Sequence, residues 1–182
     1  MRMSFARIAT AVCLAHLLGC APEHPRSAAK GKEATSEAGA TVNLEDIAPG
    51  ALMARIAGER DRVIVVDTWA SWCIPCKQEF PHLVELCRKS TGLPLVCMSV
   101  TIDDAEGRPA ALAFLKKVGA AFRNYRVTDD KSWTDRWEIK SIPVVLVFGK
   151  DGKLARKFDM DDPDHQFTYD QVQEFVTRLL KQ

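Results

Sequence analysis

The sequence lacks an excess of either charge, because its 25 basic residues are balanced by 24 acidic ones and the formal net charge is +1. A nucleic-acid-binding protein usually carries a basic face, so nucleic acid is not an expected partner. The six cysteines are also too few for a disulfide scaffold in a chain of 182 residues. The length instead suits one domain with an ordinary hydrophobic core.

The N-terminal apolar run is too short to cross a bilayer. Residues 8–18 are mostly apolar, but about 11 residues fall short of the roughly 20 that a membrane-spanning helix needs. Two arginines and no acidic residue precede the run, and the run ends in Leu17-Leu18-Gly19-Cys20. This order is typical of the targeting segment of an exported protein. Export predicts a compartment in which disulfides form and persist.

The Leu-x-Gly-Cys pattern resembles the bacterial lipobox, in which the cysteine is lipidated and becomes the mature N-terminus. This resemblance implies a signal peptide at residues 1–19, lipidation of Cys20 and loss of Cys13 with the signal. An ordinary cleaved signal with an incidental cysteine is the alternative. Residues 21–40 have almost no large apolar side chains, so residues 20–40 are expected to be a lipidated cysteine and flexible tether, and residues 41–182 the folded domain.

A C-x-x-C motif stands where a predicted strand gives way to a predicted helix. Val63 to Val66 form an unbroken β-branched run, and Cys73 and Cys76 follow it at the start of a helical pattern. The first turn of a helix has unpaired N–H groups and the positive end of the helix dipole, which favour a thiolate. Since the thiolate is the nucleophile in disulfide exchange, we expect Cys73 to attack and the better shielded Cys76 to resolve.

Paired cysteines also occur in zinc sites, but such a site needs a second ligand pair. The sequence contains no second C-x-x-C and no H-x-x-x-H, so no metal is expected. Cys87 and Cys97 lie on predicted core faces of a helix and a strand. They are expected to be buried as free thiols or, as an alternative, to form a second disulfide.

Hydrophobic patterning predicts alternating helices and strands through the domain. Strands are expected at 41–43, 62–67, 95–102, 125–127, 144–148 and 154–158, and helices at 51–56, 74–89, 109–118, 132–137 and from Thr168 onward. Thr168 and Gln171 have the spacing of a capping box, which marks the start of the last helix.

The segment V-D-T-W-A-S-W-C-I-P-C-K resembles the active site of the thioredoxin superfamily, and C-K-Q-E-F-P resembles its TlpA/ResA-like membrane-anchored thiol-disulfide oxidoreductases. The resemblance implies a thioredoxin-like three-layer α/β/α fold with a central mixed sheet and an extra α-β unit at 108–128. It also implies an extracytoplasmic enzyme that reduces protein disulfides without a cofactor. Its implied partners are a disulfide-containing protein substrate, a membrane thiol reductant and, through the lipid anchor, the membrane.

The same resemblance implies roles for residues around the two cysteines. Asp67 matches a buried acid that assists deprotonation of the resolving cysteine, and Glu79 matches a helix glutamate that modulates the thiols. Either carboxylate has an ordinary alternative, as a strand-end group or as a favourable charge in the first helical turns. Pro143 matches a cis-proline beside the C-x-x-C. The expected substrate-binding residues are Trp72, Ile74, Pro75 and Ile142.

Three other functions remain as alternatives. A disulfide-forming oxidase or isomerase would have the same fold, and one dipeptide between the cysteines does not set a redox direction. A redoxin-type thiol peroxidase is disfavoured because Ala70 stands where its motif has threonine. A binding lipoprotein would have no reason to keep both cysteines, Asp67 and Pro143 together.

Overall fold

The computed structural model describes residues 41–161 and 166–182. The expected signal peptide, the lipidated Cys20 and the tether lie outside these residues. The described part contains six strands, β1 (Glu45–Ile47), β2 (Val63–Trp69), β3 (Leu95–Thr101), β4 (Arg123–Val127), β5 (Val144–Phe148) and β6 (Leu154–Phe158). It also contains five helices, α1 (Pro49–Gly58), α2 (Ile74–Lys89), α3 (Arg108–Val118), α4 (Asp130–Trp137) and α5 (Tyr169–Leu180).

The strands form one mixed sheet in the order β1-β4-β3-β2-β5-β6. The pairs β1–β4, β4–β3 and β3–β2 are parallel, whereas β5 is antiparallel to β2 and to β6. β2 lies at the centre and all seven of its residues are buried. This burial on both faces explains its continuous run of valine and isoleucine.

Helices cover both faces of the sheet. Side chains of α2, α3 and α5 form one core cluster with alternate residues of β2, such as Val63 and Val65. Side chains of α1 and α4 form a second cluster with the intervening residues Ile64 and Val66. The three-layer α/β/α prediction is therefore confirmed. The predicted extra unit is also present, because α3 and β4 follow β3 and β4 lies between β1 and β3 in the sheet.

The bounds of α2, β5 and β6 were predicted correctly. The prediction of the first strand was wrong in position, because the edge strand is Glu45–Ile47 and not residues 41–43. This strand pairs with Tyr125–Val127 of β4, so its register depends on a partner about 80 residues away in the chain. β2 also continues beyond Asp67 to Trp69, since its last residues pair with the end of β3.

None of the helices within residues 41–161 and 166–182 combines the length and the apolar character needed to span a membrane.

Candidate active site

The two cysteines lie at the N-terminus of α2, as the sequence predicted. Cys73 is the N-cap residue, and its sulfur accepts a hydrogen bond of 3.1 Å from the backbone N–H of Cys76. Pro75 occupies the first turn, where its missing N–H removes no helical hydrogen bond. The sulfur of Cys73 therefore takes the place that a capping oxygen has in other helices and meets the positive end of the helix dipole.

The structure shows the oxidised form of the site. Cys73 and Cys76 are joined by a disulfide with their Cα atoms 5.3 Å apart. Cys73 is 5% exposed and Cys76 is 2% exposed. Both cysteines are therefore buried in the oxidised form, Cys73 slightly less than Cys76.

The loop before β5 lies against the disulfide. The peptide bond between Ile142 and Pro143 is cis, as predicted, and Pro143 is buried. The carbonyl oxygen of Ile142 lies 3.7 Å from the sulfur of Cys73. A polar backbone group and the reactive sulfur are thus presented side by side.

Asp67 is a buried carboxyl on the face of β2 that α2 and α5 cover. It is 2% exposed, and one of its oxygens, Oδ2, accepts a hydrogen bond from the hydroxyl of Tyr169. The other oxygen, Oδ1, has no hydrogen-bond partner among the described residues. Burial raises the pKa of the Asp67 carboxyl to about 7, against the effect of the Tyr169 hydrogen bond and with a further rise from the negative charge of Glu79. A carboxyl with this pKa can exchange protons near neutral pH.

Glu79 lies one turn after Cys76 on α2. Its side chain is 38% exposed, and one carboxylate oxygen is 3.9 Å from Nε2 of His82. Because its charge raises the pKa of Asp67, the two carboxyl groups are electrostatically linked. The effect of Glu79 on the site is thus a rise in the pKa of the Asp67 carboxyl.

The two tryptophans of the motif have different positions. Trp69 is fully buried beneath α2, with its ring centroid 5.0 Å from that of Phe80 and 5.1 Å from that of Phe114. Trp72 is 65% exposed next to Cys73, and Ile74 on the other side is exposed to the same extent. An apolar surface therefore surrounds the rim of the disulfide.

A groove of about 570 Å³ opens beside the disulfide. It contains the four residues expected to bind substrate, Trp72, Ile74, Pro75 and Ile142, as well as Cys73 itself. Residues that the sequence did not indicate complete the wall. They are Ile102 after β3, Thr134 of α4, and Ile139, Lys140 and Ser141 before the cis bond.

Asp103 is a site residue that the sequence analysis did not identify. It is 2% exposed, and its two carboxylate oxygens accept hydrogen bonds from the backbone N–H of Ser71 at 2.8 Å and from the Ser71 hydroxyl at 2.7 Å. The hydroxyl of Thr101 donates a further hydrogen bond to it. Asp103 thereby fixes the turn that carries Trp72 and Cys73.

Tyr169 is the second residue that sequence reasoning missed. The capping pattern at Thr168 predicted the start of α5, and the side chain of Gln171 does accept a hydrogen bond from the backbone N–H of Thr168 at 3.1 Å. That pattern indicated a helix and no contact with the motif. The contact with Asp67 joins residues 102 positions apart.

Cys87 and Cys97 are free thiols in the structure, with Cys97 buried and Cys87 half-buried. The hydrogen bond with Cys87 and, after it, burial raise the pKa of the Cys97 thiol, whereas the same hydrogen bond lowers the pKa of Cys87. The expectation of free thiols is therefore confirmed, and the alternative, a second disulfide, is not formed in this oxidised state of the active site. Among the described residues, no three His, Cys, Asp or Glu side chains are grouped as metal ligands.

Comparisons with known proteins agree with this geometry. A family model described as "Thioredoxin-like" matches residues 61–154. The chain is 27% identical over 130 residues to the thiol-disulfide oxidoreductase ResA of Bacillus subtilis. The aligned region covers 69% of each chain. It is 32% identical over 139 residues to the thiol:disulfide interchange protein DsbE homolog of Paracoccus denitrificans. This aligned region covers 75% of this chain and 69% of the relative.

The fold also matches solved structures. A secreted disulfide oxidoreductase of Mycobacterium tuberculosis superimposes with a TM-score of 0.55 at 19% identity, over 68% of this chain and 86% of that one. At this identity the match shows the fold alone. The resemblance to the TlpA/ResA-like group is confirmed by the relatives. Because the family match and the relatives agree with the disulfide at the start of α2, the chain belongs to the thioredoxin-like family and is a thiol-disulfide oxidoreductase.

Proposed function

We propose that the protein is an extracytoplasmic disulfide reductase whose Cys73 and Cys76 reduce disulfides of protein substrates. The observation that carries this proposal is the position of Cys73. Its sulfur caps α2 and lies at the edge of an open groove, 3.7 Å from a backbone carbonyl oxygen. A thiolate in that place is stabilised by helix N–H groups and is accessible to a second protein.

In the proposed reaction the reduced enzyme supplies two electrons. The thiolate of Cys73 attacks one sulfur of a substrate disulfide, the substrate S–S bond breaks, and the released substrate thiolate takes a proton from water. Cys76 then loses its proton and its thiolate attacks the Cys73 sulfur of the mixed disulfide. The second substrate sulfur leaves as a thiolate, which takes a proton from water, and Cys73 and Cys76 end as the disulfide seen in the structure.

Asp67 is proposed to accept the proton of Cys76 in the second step. Three features support this role: the carboxyl is buried beneath α2, its pKa of about 7 allows it to be ionised or protonated near neutral pH, and Oδ1 has no hydrogen-bond partner among the described residues. Glu79 is proposed to tune this transfer through the charge that raises the pKa of Asp67. Pro143 is proposed to hold the Ile142 carbonyl beside Cys73.

The substrate is proposed to bind along the groove beside the disulfide. Trp72, Ile74, Pro75 and Ile142 would cover apolar side chains that flank the substrate disulfide, because they line the groove beside the sulfur. The Ile142 carbonyl oxygen would accept a backbone hydrogen bond from an extended substrate segment. Protein substrates with apolar residues next to an accessible disulfide are therefore expected to react fastest.

Trapping of the mixed disulfide tests this function. Cys76→Ser should accumulate a covalent enzyme–substrate complex through Cys73, because the resolving thiol is absent. Cys73→Ser should form no such complex and should lose insulin-disulfide reduction. The complex is measured by non-reducing gel electrophoresis and mass spectrometry. A Cys73→Ser enzyme that retained full insulin reduction would refute the mechanism.

The redox direction is tested by the reduction potential of the Cys73–Cys76 pair after equilibration with glutathione. A reductase that draws electrons from a membrane thiol reductant should have a potential at or below about −230 mV. A value near about −120 mV would instead identify an oxidant and would contradict the reductase proposal.

The N-terminal segment is proposed to anchor the enzyme to a bacterial membrane from the cell-envelope side. Residues 1–19 would be removed, Cys20 would carry the lipid, and residues 20–40 would tether the domain at 41–182. Cys20→Ser should then move the full chain from the membrane fraction to the soluble fraction of the producing cells. Cys13→Ser is the control, since Cys13 would be lost with the signal. Equal membrane retention of both variants would rule out lipidation at Cys20.

A further inference from the structure

Tyr169 is the side chain that contacts the buried carboxyl Asp67 directly. It is the first residue of α5, it is 5% exposed, and its hydroxyl donates a hydrogen bond to Oδ2 of Asp67. The ring packs between other aromatic side chains, with centroid distances of 5.8 Å to His82 and 6.1 Å to Phe167. The hydroxyl is therefore held in place by packing on the ring and by the start of a helix.

The two carboxylate oxygens of Asp67 have different environments. Oδ2 is occupied by the Tyr169 hydroxyl, and Oδ1 is the buried oxygen without a partner in the described part of the chain. A hydroxyl that donates to a carboxylate stabilises the ionised form relative to the protonated form. The phenol itself remains a donor through this pH range, because burial and the neighbouring charge of Asp67 raise the pKa of Tyr169.

We propose that Tyr169 is a positioning residue for disulfide exchange, which holds Asp67 by Oδ2 and keeps Oδ1 available to take the proton from Cys76. This inference rests on the proposed role of Asp67 as the proton acceptor. In the resolution step the S–H bond of Cys76 breaks and the proton moves to Oδ1. Tyr169 keeps its own proton and its hydrogen bond throughout, so it changes neither charge nor covalent structure.

The charged and titratable groups around Asp67 and Tyr169 come from two elements, α2 and β3. α2 contributes Glu79, whose charge acts on both residues, and the exposed His82, which stacks on the Tyr169 ring. β3 contributes Cys97, whose charged form would act on Tyr169. Ser99, the β3 residue paired with Asp67, has no charge. Within this set Tyr169 is the group that donates a hydrogen bond to the carboxyl.

Tyr169→Phe tests the proposal, because it removes the hydroxyl and keeps the ring. The titration of Asp67 is followed by carbon-13 NMR of its carboxyl in the oxidised full-length protein, with Asp67→Asn to assign the signal. The midpoint should move upward by roughly 1 to 2 pH units, which corresponds to loss of a hydrogen bond to a charged group. The low-pH limb of the rate of mixed-disulfide resolution should move upward with it.

Tyr125→Phe is the matched control. Tyr125 is the only other tyrosine of the chain, and its hydroxyl accepts a hydrogen bond from Arg55 on the opposite side of the sheet. This variant should leave the Asp67 midpoint unchanged. An unchanged or lowered midpoint in Tyr169→Phe would overturn the proposal.

A second measurement does not depend on the stability of Tyr169→Phe. In the Tyr125→Phe protein, Tyr169 is the one remaining tyrosine, and its replacement by 3-fluorotyrosine makes the phenol a stronger donor. The Asp67 midpoint should then move downward, and an upward shift or no shift would contradict the proposal. Since the carboxyl titration is read without any substrate, absence of reductase activity would count against the proposed function and not against the role of Tyr169.

Discussion

At the scale of single residues, burial determines the chemistry of Asp67. A carboxyl on a central strand would be an ordinary acid in water, but desolvation raises its pKa to about 7 in the folded protein. The usual value of 3.8 applies to the unfolded chain. The folded state therefore binds a proton more tightly than the unfolded state, and the charged carboxylate destabilises the fold.

This difference predicts that stability decreases as pH rises. Below pH ~3 the carboxyl is largely protonated in both states and has little effect on the free energy of unfolding. Between the two pKa values the unfolded chain releases its proton first, so from pH 5 to pH 8 this one group should lower the free energy of unfolding by about 2–3 kcal/mol. Urea unfolding of the oxidised protein at both pH values measures the loss.

Asp67→Asn is the comparison for that measurement, since an amide does not titrate. The variant should be more stable than the unmodified protein at pH 8, and its own difference between pH 5 and pH 8 should be smaller by about the same 2–3 kcal/mol. An identical pH dependence in the two proteins would mean that Asp67 is not buried as a high-pKa acid.

At the scale of elements, the start of α2 is held from the neighbouring strand. β2 and β3 are parallel and end side by side, so the residues after them meet at one edge of the sheet. Asp103, just after β3, accepts two hydrogen bonds from Ser71, and the Ile102 N–H donates to the carbonyl oxygen of Trp69 at 3.0 Å. The turn before Cys73 is thus fixed on one side by β3 and on the other by the first turn of α2.

Asp103→Asn should loosen this turn. The amide offers one acceptor oxygen where the carboxylate offers two, so Ser71 or Thr101 loses a buried partner, and the free energy of unfolding should fall by about 1–3 kcal/mol. The rate of reaction of Cys73 with a protein disulfide should fall as well. Both are measured on the same preparations by urea unfolding and insulin reduction.

Asp104→Asn is the matched control, because Asp104 accepts an exposed hydrogen bond from the Gly107 N–H. This change should alter the free energy of unfolding by no more than about 0.5 kcal/mol. If the two variants were equally stable and equally active, the carboxylate of Asp103 would not be what fixes the turn.

At the scale of the whole molecule, the groove beside the disulfide is assembled from distant parts of the chain. The active-site turn contributes Trp72 and Ile74, the end of β3 contributes Ile102, and the segment before β5 contributes Ile139 and Ile142. Each segment alone would expose an apolar side chain to water. Together they form a largely apolar surface next to the reactive sulfur, of the kind that marks protein interaction sites.

Trp72→Ala should therefore separate a protein disulfide from a small thiol as substrate. Loss of an aromatic contact that substrate covers should lower kcat/KM for a protein disulfide about tenfold or more. The rate of reduction of the Cys73–Cys76 disulfide by dithiothreitol should stay within about twofold, since a small thiol does not occupy the groove. Leu93→Ala is the control, because Leu93 is 51% exposed and does not line this groove. Equal losses with both substrates would argue against substrate binding by Trp72.

Local chemistry in the sequence predicted most of the fold. The unbroken β-branched run of β2 indicated a central strand, and the C-x-x-C marked the start of α2. The cis bond before Pro143 was predicted through resemblance to a family and not from the residues alone. The edge strand β1 was misplaced because a short strand takes its register from a distant partner.

The sequence by itself determined the order of helices and strands and the reacting atoms, because hydrophobic periodicity and the two cysteines are local patterns. The fold class followed from the resemblance of the segment around those cysteines to a known family. The sequence named Asp67, but the pKa of that carboxyl depends on burial between α2 and α5, which follows from packing of the whole domain. Asp103 and Tyr169 had no local signal, since their partners Ser71 and Asp67 lie 32 and 102 residues away. Only the tertiary structure brought these side chains together, because the strengths of hydrogen bonds and of desolvation depend on distance in space and not on distance along the chain.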